Sequence, residues 1–358
     1  MKILFILNTL AMGGAERVGS LLCNAWAAQG HEVVLVQSYS GGACNFFQLE
    51  PSIRQEVLGR QGGERSAFDI FRRMVRLRQL ARDFQPDVVV SFLTSVNLVT
   101  LASTAGLGLR RIVAERIDPV CMPMPQIMRW GCRILYRFAD MVMVQNAQQG
   151  ERLESLYGRM PRLTAIANPL PEQVPELSRK RPDGPFRLIS LGRLDPRKRV
   201  DMIIAAFHCL ASDRPDWELH IFGDGPDLAR LEKQAQSGPG AARIYFMGRT
   251  NQALHMLVDA DIYANASTFE GFPNALMEAM AVGLPTLSTD CPCGPRDMTD
   301  QGQAGLLVPV DDERAFTDAL ARLMDDAALR HSLGIRAGKQ IRSLCAHDVV
   351  LDQWRQAF

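Results

Sequence analysis

Short apolar runs alternate with segments of helical periodicity along most of the chain. Residues 2–7 (KILFIL) form a continuous apolar run of strand length. After a glycine-containing turn, Val18, Leu21, Leu22, Ala25 and Trp26 recur at helical spacing, and Gly30 closes that helix as a C-cap. EVVLVQ (32–37) reads as the next strand. Strand, helix, strand at this spacing is a βαβ unit and predicts a parallel sheet. PDVVVSFL (86–93), RRIVAE (110–115) and ADMVMVQN (139–146) continue the series. A stretch rich in proline and charge, NPLPEQVPELSRKRPDGP (168–185), then breaks the periodicity and reads as an interdomain linker. A second series follows: FRLISLG (186–192), a helix over 200–211, WELHIFG (217–223), a helix over 226–236, RIYFMG (243–248), DIYAN (261–265) and PTLST (285–289). Helical periodicity resumes near Asp311 and runs to Phe358.

The pattern predicts an α/β protein of two Rossmann-like, doubly wound domains facing each other across a cleft. The first is expected over residues 1–170 and the second over 171–345. Ligands of such sheets bind beyond the carboxyl ends of the strands, so residues just after the strands are the candidates for chemistry. A length of 358 residues fits two domains, each able to bury its own core. Composition (47% hydrophobic, 22% charged) fits a globular protein, and a formal net charge of +1 leaves no global field to attract nucleic acid. Nucleic acid is therefore excluded as a partner.

The eight cysteines are scattered, and several, such as Cys23 and Cys209, sit inside apolar runs. They read as reduced, buried thiols of a cytoplasmic protein. Cys291-Pro292-Cys293 lacks the second cluster that a metal site needs and reads as a loop with two inert thiols. The six histidines do not cluster, and no HExxH pattern occurs. MKILFIL is too short and too soon interrupted for a signal peptide, and no apolar stretch reaches membrane-spanning length.

Four stretches stand where chemistry is expected. TLAMGGAE (9–16) follows the first strand; Gly13 and Gly14 either let amides approach an anion at a helix N-terminus or make a tight turn with no ligand. The pattern is not GxGxxG, which disfavours a nicotinamide dinucleotide and an oxidoreductase. GRLDPRKRVD (192–201) places Arg193 and Lys198 after a strand, a fork and a point charge suited to phosphate oxygens; Arg197 and Arg199 read as solvated. In IFGDGPDLARL (221–231), Gly223 and Gly225 flank a tight turn that either underlies a nucleotide base or is purely structural, with Pro226 in the first turn of the next helix. In STFEGFPNALMEAMAVGLP (267–285), Asn274 reads as the N-cap of a strong helix former. Gly271, Phe272, Pro273 and Asn274 then form an anion-accepting loop flanked by Glu270 and Glu278, pure acceptors suited to sugar and ribose hydroxyls. The alternative is a solvated Glu270 and a Glu278 that only supports the first helical turn.

The stretch EGFPNALMEAMA resembles the signature of family 4 retaining glycosyltransferases, which have the GT-B fold. LNTLAMGGAER, IANPLP, GRLDPRKRVD, IFGDGPDL, FMGR, GLPTLSTDCPCGP and GLLVP agree with it in order, most densely over 186–310. The resemblance implies that Glu278 binds the ribose, that Glu270 contacts the transferred sugar, and that Arg193 and Lys198 hold the diphosphate, which Gly13 and Gly14 also approach. It implies metal-independent catalysis without a cofactor, a nucleotide sugar as donor, and a terminal helix near 346–358 packed back on the first domain. Many relatives carry a histidine near the sugar; here the region reads VAERIDP (113–119), and Arg116 is the candidate in its place. The alternative for Arg116 is a local salt bridge with Glu115 or Asp118.

The resemblance points to a bacterial polysaccharide or lipopolysaccharide enzyme that moves a hexosyl or N-acetylhexosaminyl group from a UDP-sugar to a glycan or lipid-linked acceptor. GDP-mannose is the competing donor. A nucleotide-sugar epimerase and a non-catalytic glycan-binding module are the rival classes. FRRMVRLRQLARDF (71–84) and RWGCRILYRF (129–138) are basic and amphipathic, suited either to a solvated face or to peripheral contact with the cytoplasmic face of the inner membrane.

Overall fold

The computed structural model describes residues 1–11, 13–39, 47–59, 67–118, 124–160, 162–175, 184–250 and 252–358. Residues 176–183 of the expected linker, Cys44 and Cys121 lie outside them. The chain divides into two units, Met1–Pro169 with Val350–Phe358, and Leu170–Val349.

In the first unit, β1 (Lys2–Leu7), β2 (Glu32–Gln37), β3 (Arg54–Val57), β4 (Val88–Phe92), β5 (Arg110–Ala114), β6 (Met141–Val144) and β7 (Leu163–Ala165) form one sheet. Their order is β3-β2-β1-β4-β5-β6-β7, and every pairing is parallel. Helices cover both faces, so the inner strands bury both sides and appear in the sequence as unbroken apolar runs. Leu77, Ala81 and Phe84 of helix Ala67–Phe84 pack on Leu4, Ile6 and Val34. Val18, Leu22 and Trp26 of helix Gly14–Ala28 cover Ile3, Phe5 and Leu35 on the other face. The last helix, His347–Ala357, joins that second layer from Val350 onward. Its Trp354 meets Trp26 edge-on at 5.5 Å between ring centroids, and Arg110 donates to the Ala357 carbonyl at 2.8 Å.

In the second unit, β8 (Phe186–Leu191), β9 (Trp217–Phe222), β10 (Ile244–Gly248), β11 (Ile262–Asn265), β12 (Thr286–Thr289) and β13 (Leu306–Val308) form a parallel sheet in the order β10-β9-β8-β11-β12-β13. Each order reverses once, between β1 and β4 in the first unit and between β8 and β11 in the second. Those switch points open crevices at the carboxyl ends of the strands.

Three short strands, β3, β7 and β13, are absent from the expected series, and all three are edge strands; β13 (LLV) is apolar but only three residues long. Arg54–Val57 (RQEV) alternates little and stays largely exposed. The helix expected over 226–236 starts only at Leu228. The amide of Asp227 is tied to the Leu194 carbonyl at 3.1 Å, so Pro226 lies in the turn before the helix rather than in its first turn. Among the described cysteines, Cys209 is exposed rather than buried, because it falls on the outer side of helix Val200–Leu210.

Candidate active site

In the second unit the sequence candidates gather at the switch point. The loop after β8 carries Arg193 and a short 3-10 turn, Pro196–Lys198. The loop after β11 carries Ser267 and Glu270. Lys198 Nζ reaches Glu270 Oε1 at 2.6 Å, with the Glu270 side chain nearly buried and that of Lys198 28% exposed. Ser267 Oγ donates to the same oxygen at 2.7 Å. Glu270 is therefore not the solvated loop residue of the alternative reading. Its other oxygen, Oε2, takes no hydrogen bond among the described residues and remains an acceptor. Arg193 stays outside this network: its side chain is 70% exposed, and its ion-pair partner among the described residues is Asp195, 4.0 Å away.

Arg197 and Arg199 do not read as solvated. Arg197 pairs with Asp195 at 2.9 Å and lies over the Phe269 ring. Burial pushes the Asp195 carboxyl up, but the Arg197 guanidinium outweighs it and holds the group below the usual carboxylate range. Arg199 pairs with Asp201, Asp311 and Glu313. Together these pairs set the shape of the loop that presents Lys198.

The turn at Gly223 and Gly225 has a structural task. A Cβ on Gly223 would stand 1.8 Å from the Gly192 carbonyl oxygen, and one on Gly225 would stand 2.1 Å from that of Leu194. Leu194 in turn donates its amide to the Asp224 carbonyl at 3.0 Å. Two bare backbones thus lie against each other, and the turn carries the loop that holds Arg193.

Helix Asn274–Ala281 begins at the switch point. Asn274 is its first residue and not the N-cap; that place falls to Pro273, whose side chain makes no cap hydrogen bond. The first turn therefore presents its amides without a side-chain acceptor from Pro273, as an anion site requires. Pro273 is braced from behind, since a Cβ on Gly294 would come within 2.5 Å of its ring. Gly271 and Phe272 are half-buried. Glu278 is buried one turn into the helix. The Tyr263 phenol is pushed well above its usual value by burial and then by the charges of Glu270 and Glu278, so both carboxylates act on this one side chain of β11. Cys291 belongs to the same neighbourhood: burial and then Glu270 push its thiol up, which keeps it inert.

In the first unit, Gly13 is extended and, as the N-cap of helix Gly14–Ala28, brings no side chain to cap it. The Glu16 carboxylate folds back over this turn, close enough that a Cβ on Gly13 would stand 2.2 Å from its Oε2. Burial raises the Glu16 carboxyl. An anion at Gly13 and Gly14 requires that this side chain swing away.

Arg116 follows β5 and is buried. The salt-bridge reading fails for both acidic neighbours. Glu115 accepts from Tyr136 and from Thr94, and Asp118 pairs with Arg152 at 2.7 Å. Arg116 instead donates to Asn168 Oδ1 at 2.8 Å and lies 3.7 Å over the Phe92 ring. Burial pulls its pKa down to about 9, so it remains a cation at neutral pH. Among the described residues no carboxylate pairs with it, and its Nε has no hydrogen-bond partner. A buried cation without a counter-ion costs stability. Arg116→Met is therefore expected to stabilise the first unit by about 1–2 kcal/mol. If Arg116 serves an anionic substrate, turnover is lost in the same variant. Calorimetry with an activity assay reads both; a lower melting temperature with turnover intact would make Arg116 structural.

Asp195, Ser267 and Asn168 were not singled out from the sequence. Their signal is position alone: each stands within a few residues of a strand's carboxyl end or of a motif residue.

Comparison with known proteins places the chain in a family and a fold. A family model described as a glycosyl transferase 4-like domain matches residues 13–169, and one described as glycosyl transferases group 1 matches residues 176–340. An exopolysaccharide phosphotransferase of Streptomyces coelicolor is 34% identical over 61% of this chain, but the chain spans only 23% of its length. A Campylobacter jejuni enzyme is 28% identical over 93% of this chain and 91% of its own. Its name describes an α-1,4-N-acetylgalactosaminyltransferase acting on a diphosphoundecaprenol-linked glycan. HepE of Anabaena, solved in complex with UDP, superposes with a TM-score of 0.81 over 100% of this chain and 99% of its own, at 16% identity.

Proposed function

We propose, from the premise that this chain belongs to the GT-B glycosyltransferases of family 4 type, that it moves a hexosyl or N-acetylhexosaminyl group from a UDP-sugar to a lipid-linked glycan, with retention of anomeric configuration. The observation that carries this reading is the Lys198–Glu270 pair at the β8/β11 switch point, beside the uncapped start of helix Asn274–Ala281. The cation and the amides there suit the diphosphate, the oriented carboxylate suits the sugar, and Glu278 one turn into the helix suits the ribose.

In this reading Lys198 and Arg193 neutralise the diphosphate as the bond from its oxygen to the anomeric carbon breaks, so no metal or other cofactor is required. The amides of Gly271 and Phe272, with those of Ala275 and Leu276 in the first helical turn, hold the same anion. Glu270 Oε2 accepts a hydroxyl of the transferred sugar, and Glu278 accepts the ribose hydroxyls. Gly13, Gly14 and Arg116 are proposed as further contacts for donor or acceptor. Gly223 and Gly225 contribute through the loop they support. UDP is favoured over GDP by the UDP bound to HepE, and a lipid-linked acceptor by the Campylobacter relative's substrate. Such an acceptor sets the enzyme at the cytoplasmic face of the inner membrane in polysaccharide biosynthesis. Among the described residues no helix is long and apolar enough to cross a membrane, and the contact proposed there is a peripheral one.

The test is a transfer assay with a panel of UDP- and GDP-sugars and a diphosphoundecaprenol-linked glycan. Proton NMR then reads the new linkage. An α-linked product from an α-configured donor, with EDTA present, supports the reading. A β-linked product overturns retention, and a free, altered sugar without acceptor overturns transfer.

A further inference from the structure

Helix Gln126–Leu135 and the 3-10 turn Tyr136–Phe138 after it bury Cys132, Tyr136 and then Ala139 against the first sheet. The opposite side holds an arrangement that a solvated helix does not need. Ile127, Trp130, Ile134 and Phe138 recur at helical spacing and are 80%, 62%, 54% and 60% exposed. Arg129, Arg133 and Arg137 stand one position before three of them, forming a parallel basic row, and all three are exposed. Single exposed apolar residues are ordinary, but a stripe of four with a tryptophan is not.

The other basic segment does not share this character. In helix Ala67–Phe84, Arg76 donates to the Leu58 carbonyl at 2.9 Å, and Arg78 donates to those of Ser103 and Ala105. Arg73 is buried over the Tyr39 ring. Three of its five arginines therefore hold the fold. The two helices flank helix Thr94–Ser103 in the same layer, and Phe68, Phe71 and Val75 of the first are exposed as well.

We propose that the 126–138 stripe is a membrane-inserting face: Ile127, Trp130, Ile134 and Phe138 enter the headgroup boundary of an anionic bilayer while Arg129, Arg133 and Arg137 pair with lipid phosphates. The charge decides the occupant. No acidic side chain interrupts the segment from Gln126 to Phe138, so it complements an anionic surface and repels a second copy of itself. An apolar stripe beside a row of cations is what an interfacial helix requires, with the tryptophan at headgroup level. The inference borrows from the proposed function only the expectation of a membrane nearby, and it is tested without donor or acceptor.

Trp130 makes the test direct. It is exposed, whereas Trp26, Trp217 and Trp354 are buried, so a change in tryptophan emission reports on this face. The full chain is mixed with vesicles of phosphatidylcholine alone or mixed with phosphatidylglycerol, then sedimented. Binding to the anionic vesicles, weakened by salt and accompanied by a blue shift of emission, is expected. Reversing all three charges (R129E, R133E, R137E) is expected to lower the partition coefficient about a hundredfold. A second variant, W130S with I134S, keeps the arginines and is expected to lose the blue shift and most of the binding. Both change exposed side chains only, and unchanged melting temperatures confirm that they fold. The proposal is overturned if the wild type ignores anionic vesicles, if it binds as well after charge reversal, or if the stripe proves to hold a dimer that the serine variant dissociates. Failure here with intact sugar transfer would leave the proposed function standing; binding here without transfer would do the reverse.

Discussion

Glu270→Gln is expected to lower turnover by about 10²–10³-fold while changing donor affinity only a few-fold. The variant keeps the volume and still accepts from Ser267, but it removes the charge that holds Lys198 Nζ at 2.6 Å. Two losses then coincide. The transferred sugar loses its charged acceptor, and Lys198 loses the partner that aims it. The pair spans the switch point from two loops, so each residue positions the other. Lys198→Ala is expected to fall as far, and the double variant little further than either single one, because the two act as a unit. Leaving either partner alone in a nearly buried place costs about 1–3 kcal/mol of stability, which calorimetry separates from the kinetic effect. Additive losses in the double variant would mean that the pair is two independent contacts. Unchanged turnover in Glu270→Gln would remove that residue from the reaction.

Gly223→Ala is expected to cost the second unit about 4 kcal/mol or more, enough to leave little folded protein at physiological temperature. Its φ of +142° disfavours any side chain, and the new methyl would stand 1.8 Å from a backbone oxygen that cannot rotate away. Relief requires moving the 192–194 loop, and Arg193 with it. Gly30→Ala is the control: φ there is also positive, at +82°, but the added Cβ meets nothing within 4 Å. That variant is expected to lose only about 1–2 kcal/mol. Thermal melts of the two side by side separate the cost of close approach from the cost of backbone conformation. Equal losses would deny the contact between the two loops its importance.

The architecture was legible because parallel strands bury both faces and so read as apolar runs. The edge strand β3 was not legible for the same reason reversed: RQEV at Arg54–Val57 has one neighbour and a wet face, and nothing apolar marks it. The individual candidate residues stood out by their place after strands and by the EGFPNALME stretch. Their pairing was not. Lys198 and Glu270 are separated by 72 positions, and Arg199 reaches Asp311 across 112, distances over which sequence spacing carries no geometric information. Gly223 and Gly225 were read as a turn with two meanings, and the choice between them needed the backbone lying against it. Arg116 stood beside two acids in the sequence, yet both point elsewhere because Tyr136 and Arg152 claim them first. Asn274 has the side chain of an N-cap, but the Phe272 carbonyl accepts its amide at 2.9 Å and draws it into the first turn.

The central claim is a nucleoside diphosphate site at the β8/β11 switch point. Melting of the wild type and Glu278→Ala with UDP, GDP, ADP, dTDP and NAD, each with and without Mg2+, tests it most directly. The account predicts that UDP alone raises the wild-type melting temperature, that Mg2+ leaves the shift unchanged, and that Glu278→Ala abolishes it. A shift with NAD only, or with none of the diphosphates, would contradict it.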